Sequence, residues 1–249
     1  MSHPRLHEDL QALFEQKNEA NLKACLENSA FREFQKTHGI NVPPSELVKV
    51  FTHTSFSHEF RSPHQEQLEF LGDAVVQLVL TEELYRLYPM EKEGMLSKLR
   101  SAIVNEKTLS ALALKLDLGS LLLVGRGEFN KKLYLQEAVL ADTFEALLGC
   151  IYKHDGLEKV KNLFFKWLLE VFPKALDFEF LENFDAKSKL QELALAKYKK
   201  LPRYQATSVQ DKFEVQLWIN DELKTSGIFS SKKEGEKELA KEIIMKGSI

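Results

Sequence analysis

The stretch Glu66-Gln-Leu-Glu-Phe-Leu-Gly-Asp73 constrains the chain most. Read as a helix, it puts Glu66, Glu69 and Asp73 on one side, at i,i+3 and i,i+4 spacing. Leu68, Phe70 and Leu71 surround these acids, and an apolar run from Ala74 to Leu80, broken only by Gln77, follows them. A soluble helix keeps its carboxylates on the wet face. Carboxylates entering a core-like helix are costly without a partner. A divalent cation is the simplest partner for several of them together.

A second stretch has the same character. In Leu140-Ala-Asp142-Thr-Phe-Glu145-Ala-Leu-Leu-Gly149, two acids three residues apart interrupt an apolar helix. The small residues Gly72, Ala74, Ala141 and Gly149 beside the acids let two such helices approach closely. Two pairs on packed helices make an oxygen-only donor set. With no His or Cys in it, that set favours Mg²⁺, with Mn²⁺ able to substitute, over zinc. Salt-bridged or wet-face acids are the competing reading of either pair taken alone.

The order of patterns predicts two domains. Helical spacing runs over residues 5–37, with a soft point at Asn18 to Asn21 and with Leu22, Cys25 and Leu26 on its apolar face. A stop follows at Gly39 to Pro44. A short helix is expected over Glu46 to Thr52, then a polar connector to Pro63. Further helices are expected over His64 to Leu87, Glu93 to Val104, Glu106 to Lys115, Glu137 to His154 and Leu157 to Val171. Gly125 to Glu128 reads as a turn, and Phe129 to Gln136 as irregular. After a linker at Phe178 to Phe184 the pattern changes. A helix over Asp185 to Tyr198 turns Leu190, Leu193 and Ala194 inward. Strands follow at Ala206 to Val209, Phe213 to Ile219 and Leu223 to Phe229, with a turn at Asn220-Asp221. A last helix runs to about Met245, giving α-β-β-β-α. The expected fold class is an all-α domain followed by a small α+β one. The boundaries are a helical extension over 1–30, the main helical domain over 31–177, a linker over 178–184 and the α+β domain over 185–249.

Net charge is −3 with a pI near 6.2, so the whole chain lacks the basic excess of a general nucleic-acid binder. The charge is uneven: from Glu182 onward, 13 Lys and Arg face 11 Asp and Glu, and the remainder is acidic. Cys25 and Cys150 are far apart and lack metal-site spacing, which reads as a reducing compartment without disulfides. No stretch reaches the roughly 18–20 apolar residues of a membrane span. A soluble, cytoplasmic protein with no membrane association is expected.

With these residues in hand, the chain resembles the ribonuclease III family. The first acidic stretch looks like the family signature, and the second like its second acidic motif. Thr52-His-Thr-Ser55, the segment Glu93 to Ala102 and Gly125-Arg-Gly127-Glu128 continue the match in order and spacing. The resemblance implies a magnesium-dependent endoribonuclease that cuts both strands of double-stranded RNA as a homodimer, without an organic cofactor. It implies products with a 5′-phosphate, a 3′-hydroxyl and a two-nucleotide 3′ overhang. It also implies a role in processing ribosomal RNA precursors, messenger and transfer RNAs. Carried over residue by residue, Glu69, Asp73, Asp142 and Glu145 match metal ligands, Asp73 and Glu145 being the catalytic pair. Glu66 and Glu93 match acids near the RNA valley of the dimer, where the apolar face with Phe70 and Leu71 meets its two-fold mate.

The tail resembles a double-stranded RNA-binding domain. The resemblance implies RNA contacts from Gln191 and Glu192 on its first helix and from Lys232, Lys233 and Lys237 on its last. A helix N-terminus flanked by lysines is a phosphate site on physical grounds as well, and such a module reads A-form shape rather than sequence. This tail departs from the family pattern in places. The segment from Thr207 to Lys212 is several residues shorter than usual and has no His. Phe229 stands where a glycine is common, and Gly235 where an alanine is. RNA is therefore expected to be held mainly by lysines and the first helix, with steep salt dependence. Two other readings stay open: an RNA-binding scaffold with an inactive nuclease domain, and a helical interaction protein stapled by a structural metal.

Overall fold

The computed structural model describes residues 4–16, 29–178 and 186–247. The expected soft point at Asn18 to Asn21, the apolar positions Leu22, Cys25 and Leu26, and most of the Phe178 to Phe184 linker lie outside the described residues. The chain divides into two compact units, Met1–Ala175 and Leu176–Ile249. Among the described residues no helix is long and apolar enough to cross a membrane.

The first unit is helical: α1 (Pro4–Gln16), α2 (Ser29–His38), α3 (Pro44–Val50), α4 (Thr54–Phe60), α5 (Glu66–Leu87), α6 (Glu93–Ile103), α7 (Glu106–Lys115), α8 (Arg126–Asn130), α9 (Glu137–Asp155) and α10 (Leu157–Val171), with 3₁₀ turns at Leu118–Leu121 and Leu133–Leu135. Its axis is α9, whose central stretch from Phe144 to Ile151 is buried except at Glu145. Helices α5, α7 and α10 pack around it. Phe144 meets Trp167 of α10 edge-on, and Phe31 and Phe34 of α2 close on Phe51. Apolar burial on this scale is the main stabilising term.

Two features differ from the expected elements. The connector over Thr52 to Pro63 contains helix α4. His53 caps it, accepting the Ser55 N–H on Nδ1 at 3.1 Å. Burial lowers the His53 pKa, which keeps that nitrogen free to accept. The Gly125 N–H donates to Ser55 Oγ (2.9 Å), and the Arg126 N–H to Glu59 Oε1 (2.8 Å). The expected turn at Gly125 to Glu128 thus leads into helix α8, and the two motifs Thr52–Ser55 and Gly125–Glu128 hold each other. Helix α1 lies on the same region, with the Phe14 ring 6.2 Å from Phe60 and 5.9 Å from Phe129.

The second unit comprises α11 (Ala186–Tyr198), β1 (Arg203–Val209), β2 (Lys212–Ile219), β3 (Glu222–Phe229) and α12 (Lys232–Lys246). The sheet is antiparallel in the order β1-β2-β3. Asn220 and Asp221, both at positive φ (51° and 66°), make the two-residue turn between β2 and β3. Val209 pairs with Lys212, so the first hairpin also closes with two residues, Gln210 and Asp211. Leu190, Ala194, Val215, Leu217, Ile219, Leu239, Ala240 and Ile243 form the core. Leu193, expected inside, is 39% exposed because the inward stripe of α11 runs through Ala186, Leu190 and Ala194.

Candidate active site and RNA-binding surface

Helices α5 and α9 cross with their backbones nearly touching. A Cβ on Gly72 would stand 1.8 Å from the carbonyl oxygen of Glu145, and one on Gly149 would stand 2.1 Å from that of Leu68. Only glycine fits at either point. Ala141 is buried as expected, whereas Ala74 is exposed and takes no part in the crossing.

The crossing sets the acids. Glu69, Asp142 and Glu145 are each half-buried, and one carboxylate oxygen from each lies within 4.8 Å of the others. Asp73 is not in that trio. It is exposed at the rim, one turn beyond Glu69, although its charge acts on both Glu145 and Glu69. Burial raises the pKa of Glu145 first, and the charges of Asp73, Asp142 and Glu69 add to it, reaching about 8. Burial also raises Glu69, with Asp142, Glu66 and Asp73 contributing. Asp142 is raised by burial and by Glu106 at the start of α7. Burial and neighbouring negative charge together push these acids toward the proton-bound form. Such a set of oxygens fits a hard divalent ion.

Glu66 is exposed in the first turn of α5, its Oε2 3.7 Å from His64 Nδ1. Its charge reaches Glu69. Both Glu66 and Glu69 lie at a helix N-terminus, where negative charge is favoured. Glu93 is placed apart from the trio. It opens α6, accepts the Ser97 hydroxyl at 2.9 Å and lines a cavity of about 410 Å³ beside Thr81, Tyr85 and Tyr88, near the far end of α5. Thr81 is twelve residues beyond Glu69, roughly 18 Å along a helix. Glu106, which the sequence reading passed over, joins the site only through the packing of α7 on α9. Its one sequence signal is its place in the first turn of α7, behind the Asn105 cap.

In the second unit Lys187, in the first turn of α11, forms an ion pair (2.5 Å) with Glu236, at the start of the second turn of α12. Gln191 and Glu192 follow Lys187 by about one turn, and Lys232 and Lys233 precede Glu236 by about one turn. The lysine pair is exposed, Gln191 and Lys237 are half-buried, and Glu192 is exposed. Lys232 Nζ sits 5.4 Å from the Phe213 ring centroid. Ser231 caps α12 by accepting the Glu234 N–H, and Glu234 reaches back to accept the N–H of Ser230, one residue before the cap, a close relative of the capping box.

Residues 44–172 match the family model described as Ribonuclease-III-like. The chain belongs to the ribonuclease III family. Residues 186–246 match the Double-stranded RNA binding motif, so the two units pair a ribonuclease III nuclease domain with that motif. The chain is 39% identical over 219 residues to Ribonuclease 3 of Nitratiruptor sp., covering 85% of this chain and 94% of that protein. It is 37% identical over 234 residues to Ribonuclease 3 of Borreliella afzelii, covering 90% of each. The nuclease domain of ribonuclease III from Campylobacter jejuni superposes with a TM-score of 0.54 at 34% identity, over 59% of this chain and 97% of that one.

Proposed function

We propose that this chain is a double-stranded-RNA-specific endoribonuclease that cuts both strands in the presence of Mg²⁺ or Mn²⁺. The observation that carries the reading is the meeting of Glu69, Asp142 and Glu145 across the Gly72–Gly149 crossing. These three would hold the cation, with Asp73 turning in from the rim. When bound, the cation supplies an activated water and neutralises phosphate charge. Glu145, raised to a pKa of about 8 by burial and by its acidic neighbours, would serve as a ligand in its carboxylate form, which a bound cation would favour. Glu69 and Asp142, on the facing helices, fix the position at which the scissile phosphate must sit. Glu66, on the open side, acts on RNA placement.

In this reading the active unit is a homodimer. The outer stripe of α5, with Phe70 83% and Tyr85 72% exposed, offers a face for a second copy, and a Campylobacter jejuni ribonuclease III nuclease domain has been described with a region involved in dimer formation. Glu93 would serve the RNA valley of that dimer. The products carry 5′-phosphates, 3′-hydroxyls and two-nucleotide 3′ overhangs. Natural substrates are cytoplasmic structured RNAs, including ribosomal precursors. Residues 31–177 supply the nuclease, and 185–249 grip the duplex through Gln191, Glu192, Lys232, Lys233 and Lys237. The test is cleavage of a perfect RNA duplex with Mg²⁺, comparing the wild type with Glu145→Gln. Cleavage lost in the variant, with duplex binding kept, is expected. A wild type that binds duplex and never cuts it with Mg²⁺ or Mn²⁺ overturns the reading.

A further inference from the structure

Helix α9 carries a second set of donors away from its acids. Cys150 and His154 are four residues apart, so they share one face of α9, and Glu46 of α3 meets them there. The Cys150 Sγ, one ring nitrogen of His154 and one carboxylate oxygen of Glu46 lie within 4.8 Å of one another. His154 Nε2 stands 3.6 Å from Glu46 Oε2. Donors held about 2.0–2.3 Å from a tetrahedral ion stand roughly 3.3–3.8 Å apart. The nitrogen and oxygen are already at that spacing. From Glu145 to Cys150 the helix rises about 7.5 Å and turns about 140°, so this cluster is separate from the acidic one.

We propose that Glu46, Cys150 and His154 form a second metal site, selective for a borderline-soft divalent cation of the Zn²⁺ class, which ties α3 to α9. The sulfur and imidazole donors select against Mg²⁺. The charges balance: a thiolate and a carboxylate offset the two positive charges, and neutral His154 completes three protein ligands with water in the fourth position. Burial holds the thiol proton-bound, its pKa pushed up to about 12; on binding, the S–H bond breaks, the S–metal bond forms and the proton leaves to solvent. Lys153 Nζ donates to Glu46 Oε2 at 2.8 Å and orients the carboxylate, as outer-shell hydrogen bonds commonly do for metal ligands. The ion enters from the His154 side, since Cys150 itself has no exposed surface. Its effect is to anchor the far end of the helix that carries Asp142 and Glu145.

The test uses the full chain with Co²⁺ as a spectroscopic probe and Zn²⁺ as competitor. A thiolate-to-Co²⁺ charge-transfer band at one ion per chain is expected. Zn²⁺ should bleach it and excess Mg²⁺ should not. Cys150→Ser should lose it, and His154→Ala should weaken Zn²⁺ binding at least about tenfold. Cys25→Ser and Glu145→Gln should keep it. Zn²⁺ should also raise the melting temperature of the wild type clearly more than that of His154→Ala, a reading that does not depend on Cys150→Ser folding. No band in the wild type, a band retained without Cys150, or equal Zn²⁺ stabilisation of wild type and His154→Ala overturns the proposal.

Discussion

Glu145 feels burial and three neighbouring carboxylates at once, and its pKa of about 8 makes a sharp prediction for the metal-free protein. An acid whose pKa is higher in the folded state binds its proton more tightly there. Stability therefore falls as pH rises from the unfolded value of about 4.5 towards about 8. Glu145→Gln removes that loss. Without metal, the variant should melt higher than wild type at pH 8, the gap opening above about pH 4.5, while its Mg²⁺-dependent cleavage is gone. Thermal melts across pH by circular dichroism check this, and parallel profiles for the two proteins would refute it. The acids of α5 should divide by role. Asp73, at the rim with its charge on Glu145, should abolish cleavage when changed to Ala. Glu66, whose charge acts on Glu69, should leave cleavage weakened and present. Single-turnover rates with saturating Mg²⁺ separate them; an equal loss from both would show that the two carboxylates act as one group.

Helix α1 shows what an element can do without touching the site. Leu6, Leu10, Leu13 and Phe14 are all buried, and Phe14 packs against α4 and α8. Those two short helices hold each other through Ser55, Glu59, Gly125 and Arg126. Leu10→Ala should therefore cost about 2–5 kcal/mol of stability, read by urea denaturation. A cost under about 1 kcal/mol would mean that α1 merely rests on the surface. At α12, Lys232 and Lys233 flank a capped N-terminus. Replacing both by Ala should lower duplex affinity evenly across sequences and reduce the salt slope by about 2; an unchanged slope in a salt titration would take the pair out of the phosphate contact. The long elements were legible for different reasons: α5 and α9 as long apolar runs with clear stops at their ends, β2 as a clean apolar alternation. Helices α4 and α8 were not, since five to seven residues hold under two turns of pattern. What forms them is the His53 cap and hydrogen bonds to partners about 70 residues away in sequence. The pairing of the two acidic motifs was legible from their small neighbours. That Asp73 stays at the rim, Glu106 comes in and Ala74 plays no part follows from the crossing at Gly72, which only packing determines. The departures at Phe229 and Gly235 were visible separately, and structure links them: a Cβ on Gly235 would stand 2.5 Å from Val215 on β2 and 2.7 Å from the Phe229 ring on β3, so the two together call for the small residue on α12.

For the whole molecule, the telling surface is the outside of α5. Its inner face packs on α9, yet Phe70, Leu78 and Tyr85 on its outer face are 83%, 55% and 72% exposed. A helix apolar on both sides has two faces to bury, and among the described residues one chain buries only the inner one. A two-fold copy would cover the stripe with itself, each residue meeting its counterpart or a near neighbour. Phe70 directly follows Glu69, so closing the stripe would bring two acidic trios into one groove. In the proposed reading a duplex has two strands and the described residues of each chain hold one acidic trio, so cutting both strands would call for two copies. Phe70→Asp should weaken self-association roughly thirtyfold or more, the equivalent of a hot-spot loss of about 2 kcal/mol. Its melting temperature at low concentration should stay near that of wild type, because the Phe70 side chain adds little to the fold of one chain. Sedimentation over a concentration series measures the first, and strand-resolved cleavage of a long duplex measures the consequence. At concentrations where the variant is monomeric, paired cuts should disappear in step with the dimer. A variant that sediments as wild type and still makes paired cuts would show that the exposed stripe has no part in assembly.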